Sequence, residues 1–396
     1  MWISKTLATI LTILAMCVAS ACSSDSPEAE PAMPDTMKLR LYLDFDISSP
    51  TRATPSAGDY QPGSIYENMI DFEGKDFMVL FFDKDDNYIG SFTDTEIKTS
   101  DDNRKRTFIE GSVSSTLLDG CDYMLKVLLL ANWGSYPAAG VGLTTITDIA
   151  DLSAFDFETS DNDGEGHGDL IVDETHHIPM FGIIDTKTLE FDSDMTADLG
   201  AMHMLRAFAK IEVEADTENS SVKTLDKVFM NKVNRRGFMF PPGVTCESDY
   251  RKDNFNDDYT SSPAIPANTT TDSDIPFVKT DNGKWVIYVP EFANIIGNET
   301  LDEEDRARIG VRFSGIDHTF WIDFKYYETP PSYVTSLKKG DHFNIMRNNW
   351  YHYVVSKHPD SIEVKLDVTP YSSVVLEPDF GLDRDEDGNI ITPAKP

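Results

Sequence analysis

An all-β fold, built from many antiparallel strands and divided into two sandwich domains in tandem, is what the 396 residues predict. Three observations predict it. Apolar and polar residues alternate with a period of two in segment after segment, the mark of strands with one buried face. Shorter continuous apolar runs stand between clusters of Asp, Asn and Gly, which suits strands covered on both faces and joined by turns. Helical periodicity is confined to residues 143–152 and 301–306, room for a turn or two in each. With 40% hydrophobic and 26% charged residues the chain can bury a core, and its length suits about two domains.

The elements follow in order. Lys5 precedes an apolar run from Leu7 to Val18, and Ala19-Ser20-Ala21-Cys22 closes it with small residues. This is a secretory signal whose apolar core is too short to span a bilayer. Its end resembles the lipobox of bacterial lipoproteins. The resemblance implies a signal peptide over 1–21, cleavage before Cys22, and acyl chains such as palmitate on that cysteine, attaching the chain to the cell outer membrane. Residues 22–36 read as a flexible tether, since Ser23 to Pro31 is polar, acidic and contains proline. An acidic stretch there also resembles the surface-export signal of lipoproteins in the Bacteroidota; a plain linker reads the same way.

The first domain is expected over 37–217. It opens with Lys38–Ile47, where Leu39, Leu41, Leu43, Phe45 and Ile47 alternate with polar or amphipathic residues. Phe77–Phe82 and Tyr123–Ala131 are continuous apolar strands, with the turn cluster Asp83-Lys84-Asp85-Asp86-Asn87 after the first. Lys210–Ala215 alternates again, and the polar stretch from Asp216 to Ser221 after it marks the boundary. The second domain, 218–396, holds Trp285–Val289 after the turn Asp281-Asn282-Gly283, then Arg308–Phe313, Phe320–Tyr326 and Ser361–Val368. The region from Asp249 to Asp274 reads as a loop-rich excursion.

Charge and chemistry exclude several functions. Lys and Arg number 34 against 68 Asp and Glu, a net charge of −34, which repels nucleic acid and bare anionic membrane. Arg104-Lys105-Arg106 and Arg235-Arg236 are too short to reverse that. Of four cysteines, Cys17 leaves with the signal and Cys22 carries lipid. Cys121 and Cys246 remain, and two cysteines define no disulfide framework. His167, His176 and His177 lie near Asp173 and Glu174 without metal-ligand spacing. The Gly-rich run from Asp163 to Gly168 lacks the Lys-Ser/Thr of a phosphate loop, and no GxSxG is present. Asp383, Asp385 and Asp387 with Gly388 look like the front of a calcium loop, but position 394 is Ala394 where a closing acid is required. No cofactor and no enzymatic activity are expected. Trp133, Trp285, Trp321 and Trp350 read as core or sheet-face residues.

Several strings together resemble the fimbrillins, lipoprotein-derived pilus subunits of the Bacteroidota. They are Ile178-Pro179-Met180-Phe181-Gly182, Leu205-Arg206-Ala207-Phe208-Ala209-Lys210, Tyr288-Val289-Pro290-Glu291 and Arg347-Asn348-Asn349-Trp350-Tyr351, with Thr51-Arg52-Ala53 after the first strand. The resemblance runs from the lipobox to the last strands. It implies transthyretin-like sandwiches, assembly with other fimbrial subunits into surface fibres, and a role in adhesion. It also implies that in stalk subunits a trypsin-like protease cuts after an arginine in the place of Arg52, leaving Ala53 as the new N-terminus. The small residues around Arg52 suit such a cut. Release of the first strand would open a groove where Leu39, Leu41, Leu43, Phe45 and Ile47 had been, worth roughly 10 kcal/mol to an incoming strand. A segment within 361–382 of another subunit is the candidate donor strand. The alternative is a first strand that stays in place, in a permanently lipid-anchored adhesin or a pilus base subunit.

Overall fold

The alternating segments fold as strands close to the bounds their patterns predict. The computed structural model describes residues 34–44, 65–72, 76–99, 107–132, 138–139, 146–154, 156–159, 170–246, 267–268, 274–330 and 337–370. Met37–Pro396 is one compact unit, and within it the buried apolar residues form two separate cores.

Around the first core run β1 (Thr36–Asp44), β2 (Phe77–Phe82), β3 (Tyr88–Ser91), β4 (Thr95–Thr99), β5 (Thr107–Ser114), β6 (Met124–Ala131), β7 (Ala138–Ala139), β8 (Asp156–Glu158), β9 (Met180–Thr188) and β10 (Thr196–Arg206). A short helix, α1 (Ser115–Gly120), joins β5 to β6. Eight of these strands are hydrogen-bonded in the order β3-β2-β6-β9-β10-β1-β5-β4. The long strand β10 holds that order together. Thr196–His203 runs parallel to β1, whereas Met204–Arg206 pairs antiparallel with β9. Leu39, Leu41 and Ile109 from one half then meet Phe81, Leu129 and Ile183 from the other in a single core.

The second core is a five-over-four sandwich. The strands after β10 are β11 (Ala209–Ala215), β12 (Leu225–Met230), β13 (Arg236–Phe238), β14 (Ile275–Pro276), β15 (Val278–Lys279), β16 (Trp285–Val289), β17 (Ile295–Ile296), β18 (Glu299–Thr300), β19 (Arg308–Phe313), β20 (Phe320–Asp323), β21 (Asn349–Lys357) and β22 (Ile362–Pro370), of which β17 and β18 pair with each other outside the sandwich. One sheet has the order β15-β16-β11-β21-β22 and the other β14-β12-β19-β20. Ile211, Val213, Tyr351 and Tyr353 of the first face Val228, Ile309, Val311 and Ile322 of the second. β13 pairs with β8, Met239 and Phe240 just beyond it lie in the first core, and Val286 and Tyr288 of β16 pack there too.

Several expectations are refined. β11, counted with the first domain in the sequence, pairs with β16 and β21 and buries Ile211 and Val213 in the second core. Alternation identifies a strand but not the sheet that receives it. The strand expected over Phe320–Tyr326 stops at Asp323, where the Lys325 amide donates to the Asp323 carbonyl in a turn. Two pairings, β1 with β10 and β11 with β21, are parallel, unlike the antiparallel hairpin pairings expected from the sequence. Cys121 and Cys246 form no disulfide.

Tyr351 is the polar pin of the second core. Its fully buried hydroxyl accepts from the Met346 amide at 2.9 Å and donates to the Asn344 carbonyl at 3.2 Å. Its ring packs with those of Phe324 and Phe343. Burial pushes the hydroxyl pKa well up, so it stays protonated. Tyr351→Phe should remove the hydrogen bonds to the Met346 amide and the Asn344 carbonyl and lower unfolding free energy by about 1–3 kcal/mol in urea titrations.

Candidate functional site: the first strand and the seam behind it

β1 is an interior strand, with β10 along one edge and β5 along the other. Its alternation becomes geometry. Met37, Leu39, Leu41 and Leu43 point into the first core and are buried, while Lys38 is exposed and Arg40 and Tyr42 are half-buried. At about 1.5–3 kcal/mol per buried side chain, these four contribute roughly 6–12 kcal/mol, an upper figure because the unfolded chain already buries some of that surface. The ladder to β10 skips a residue between Arg40 and Leu41, so Leu41 lies opposite Gly200. Gly200 has φ of +98°, a backbone shape that a side chain would strain.

The outward face of β1 carries a second grip. Glu110 on β5 is 5% exposed and accepts from Arg40 at 2.8 Å, Lys98 at 2.5 Å and Lys38 at 3.4 Å. Two of those cations belong to β1 and one to β4. The Arg40 guanidinium also lies 5.6 Å from the Phe108 ring centroid, and the Tyr42 and Phe108 rings are 5.3 Å apart. Burial would raise the Glu110 pKa, but the hydrogen bonds from Lys98 and Arg40 and the charges of Lys98 and Lys38 hold it down to about 2.

Behind the strand, the chain after residue 64 is pinned at the seam between the cores. Glu67, in the 3-10 turn Ile65–Asn68, has no exposure. Its carboxylate accepts from Lys210 at 2.8 Å and from the Tyr288 hydroxyl, and its carbonyl accepts from Arg206 at 2.9 Å. Burial, and then the charge of Glu67, raise the Tyr288 pKa well above its ordinary value and keep the hydroxyl a donor. Asn132 adds bonds to the Met69 and Ile178 carbonyls and accepts from the Asp71 amide. Beside this knot, Arg347 donates to Glu291 at 2.8 Å and to the Phe238 carbonyl at 2.8 Å, and Asn348 accepts from Arg206. Arg206, Lys210, Tyr288, Glu291, Arg347 and Asn348 come from three strings distant in sequence, and the fold brings them together.

Of the residues singled out in the sequence, Leu39, Leu41 and Leu43 therefore sit together in the core. Cys22, Phe45, Ile47, Arg52, Ala53, Asp383, Asp385 and Asp387 lie outside the described residues. His176 is bonded to Asp173 at 3.1 Å, and His177 stacks with Tyr66 at 6.3 Å. Among the described residues no group of three or more His, Cys, Asp or Glu could hold a metal, and no helix is long and apolar enough to cross a membrane. Sequence reasoning missed Glu110 and Glu67. The available signal was the pair of cations, Lys38 and Arg40, on one face of the first strand in so acidic a chain.

No family model matches the chain, and no curated protein matches it. Solved structures do. The tip fimbrial protein Mfa3 from Porphyromonas gingivalis, C-terminally truncated, is similar with TM-score 0.45 and 12% identity over 85% of this chain and 99% of that one. A fimbrial assembly protein from Parabacteroides distasonis is similar with TM-score 0.43 and 16% identity, over 85% of this chain and 98% of that one. A candidate cell adhesion protein from the same organism has TM-score 0.47 and 14% identity, over 86% and 98%.

Two outcomes are expected at the site. The folded-state pKa of Glu110 lies below the ordinary 4.5, so its stabilising contribution is whole above about pH 4.5 and is lost as pH falls toward 2. Glu110→Gln should flatten that part of the stability-against-pH curve, measured by urea unfolding at stepped pH. Glu67→Ala, which takes from buried Lys210 its partner at 2.8 Å and leaves Glu212 at 3.8 Å, should cost about 3–5 kcal/mol in the same assay; a cost under about 1 kcal/mol would contradict the role given to this seam.

Proposed function

We propose that this chain is a cell-surface fimbrial subunit, exported as a lipoprotein through Cys22 and built into a fibre with other subunits by exchange of its first strand. The observation that carries the proposal is the position of β1. An N-terminal strand fills the interior of a sheet with four apolar side chains, and residues 45–64, which include Arg52, join it to a segment pinned independently at residues 67–71. A cut after Arg52 would separate the strand from the chain while the seam keeps the new N-terminal segment attached. The vacated groove then offers two hydrogen-bonding edges and an apolar floor to a strand from another subunit.

The pairing of β22 bears on which segment could act as a donor. Ile362–Pro370 is committed as β22, paired with β21 along its length and burying Val364 and Val368 in its own core. A donor from this chain's C-terminal end would therefore begin after Pro370. The division into tandem domains of 37–217 and 218–396 is carried forward with one change, that the strand Ala209–Ala215 goes with the second. A second reading, a base subunit or permanent adhesin that keeps both lipid and first strand, is favoured by the grip of Glu110 on Lys38 and Arg40.

The N-terminal residue and intact mass of the protein from native cells separate the two. The fibre reading expects a chain beginning at Ala53, and expects Arg52→Ala to leave acylated Cys22 in place and abolish SDS-resistant ladders. Unchanged ladders in Arg52→Ala would sink it, and acylated Cys22 in the wild type would favour the base reading.

A further inference from the structure

The first-strand groove carries a charge requirement as well as an apolar one. Glu110 lies almost fully buried on β5, beside the outward face of β1. With β1 in place it has three cationic partners. Without β1 it keeps only Lys98, which also pairs with Glu96 at 2.7 Å. A strand laid in this groove buries the carboxylate again. A neutral residue beside it leaves most of its bonding capacity unmet, and an acid repels it.

β1 meets the requirement with Met37-Lys38-Leu39-Arg40-Leu41, a basic residue between apolar ones on each outward step. The tail of this chain does not. Residues 371–383 contain Glu377, Asp379 and Asp383 and no Lys or Arg; the basic residues beyond them are Arg384, between two aspartates, and Lys395, between Ala394 and Pro396. Lys365 has the right neighbours, Val364 and Leu366, but belongs to β22 and is held in its own sheet.

Resting on the strand-exchange reading above, we infer that Glu110 selects the strand that enters this groove by requiring a basic residue at the outward position beside it. The acceptor groove of this subunit is therefore filled by a basic strand of a different subunit, not by the C-terminal tail of a second copy. Glu110 acts as a register mark: the apolar floor accepts any alternating strand, and the carboxylate accepts only the one whose cation arrives opposite it.

Peptide exchange tests this on the full chain, with a site-specific protease sequence placed at Arg52 and cut before the assay. Three labelled peptides compete for the groove: residues 36–47, the same peptide with Lys38→Gln and Arg40→Gln, and residues 371–382. The basic peptide should bind roughly tenfold or more tightly than the other two, the scale of a lost hydrogen bond to a charged group. In Glu110→Gln the first two peptides should bind within about threefold of each other. Equal binding of the three to the wild-type chain would overturn the selection while leaving exchange intact. If no peptide enters, the basic one included, both exchange and selection fail. Because the comparison between peptides is made on the unsubstituted groove, the result stands even if Glu110→Gln folds poorly.

Discussion

The buried charge of Glu67 is the constraint on which the arrangement of the two cores depends. A carboxylate without solvent exposure costs several kcal/mol unless it is paired and hydrogen-bonded, and Lys210, Tyr288 and Arg206, which bond to Glu67, come from far along the chain. Lys210 stands at the start of β11 and Tyr288 in β16, both in the second lobe, while Arg206 ends β10 in the first. Only Ala207 and Phe208 separate β10 from β11, and both are buried in the first core. The corner is therefore fixed from both sides. A shift of register in β11 or β16 would move Lys210 or Tyr288 away from Glu67 and weaken the pairing of the buried charge.

Much of this was legible in the sequence, and the missing parts have a common cause. Arg308–Phe313 and Trp285–Val289 are strands with the bounds that alternation and apolar runs predict, because a half-buried strand writes its own pattern. Leu39, Leu41 and Leu43 were readable as the buried face of a strand for the same reason. The helix Ser115–Gly120 was not, since six residues are too few to display a helical period. Glu110 and Glu67 were not, because an acid within a strand or turn ordinarily faces water. Their burial depends on cations placed opposite them by pairings that span long stretches of chain. The strings containing Arg206, Lys210, Tyr288, Glu291 and Arg347 could be recognised, yet nothing in them says that they meet at one seam.

The seam also bears on the surface. The chain has half as many basic as acidic residues, and Arg206, Lys210 and Arg347 are buried. Their acidic partners Glu67 and Glu291 are buried with them, so the excess of negative charge is left to the solvated surface. Such a surface makes copies of the chain repel one another in solution. Association then has to come from a contact that excludes water, as an inserted strand does.

The interior position of β1 has a mechanical consequence. A strand at the rim of a sheet parts from its single neighbour one hydrogen bond after another, as a zipper opens. β1 has neighbours on both sides and side chains anchored below. A force along its axis loads both ladders in shear, so many bonds must fail together, and rupture is then governed by a rate and not by equilibrium stability. β1, seated in this slot, would hold under load along its axis while remaining free to form by ordinary strand pairing.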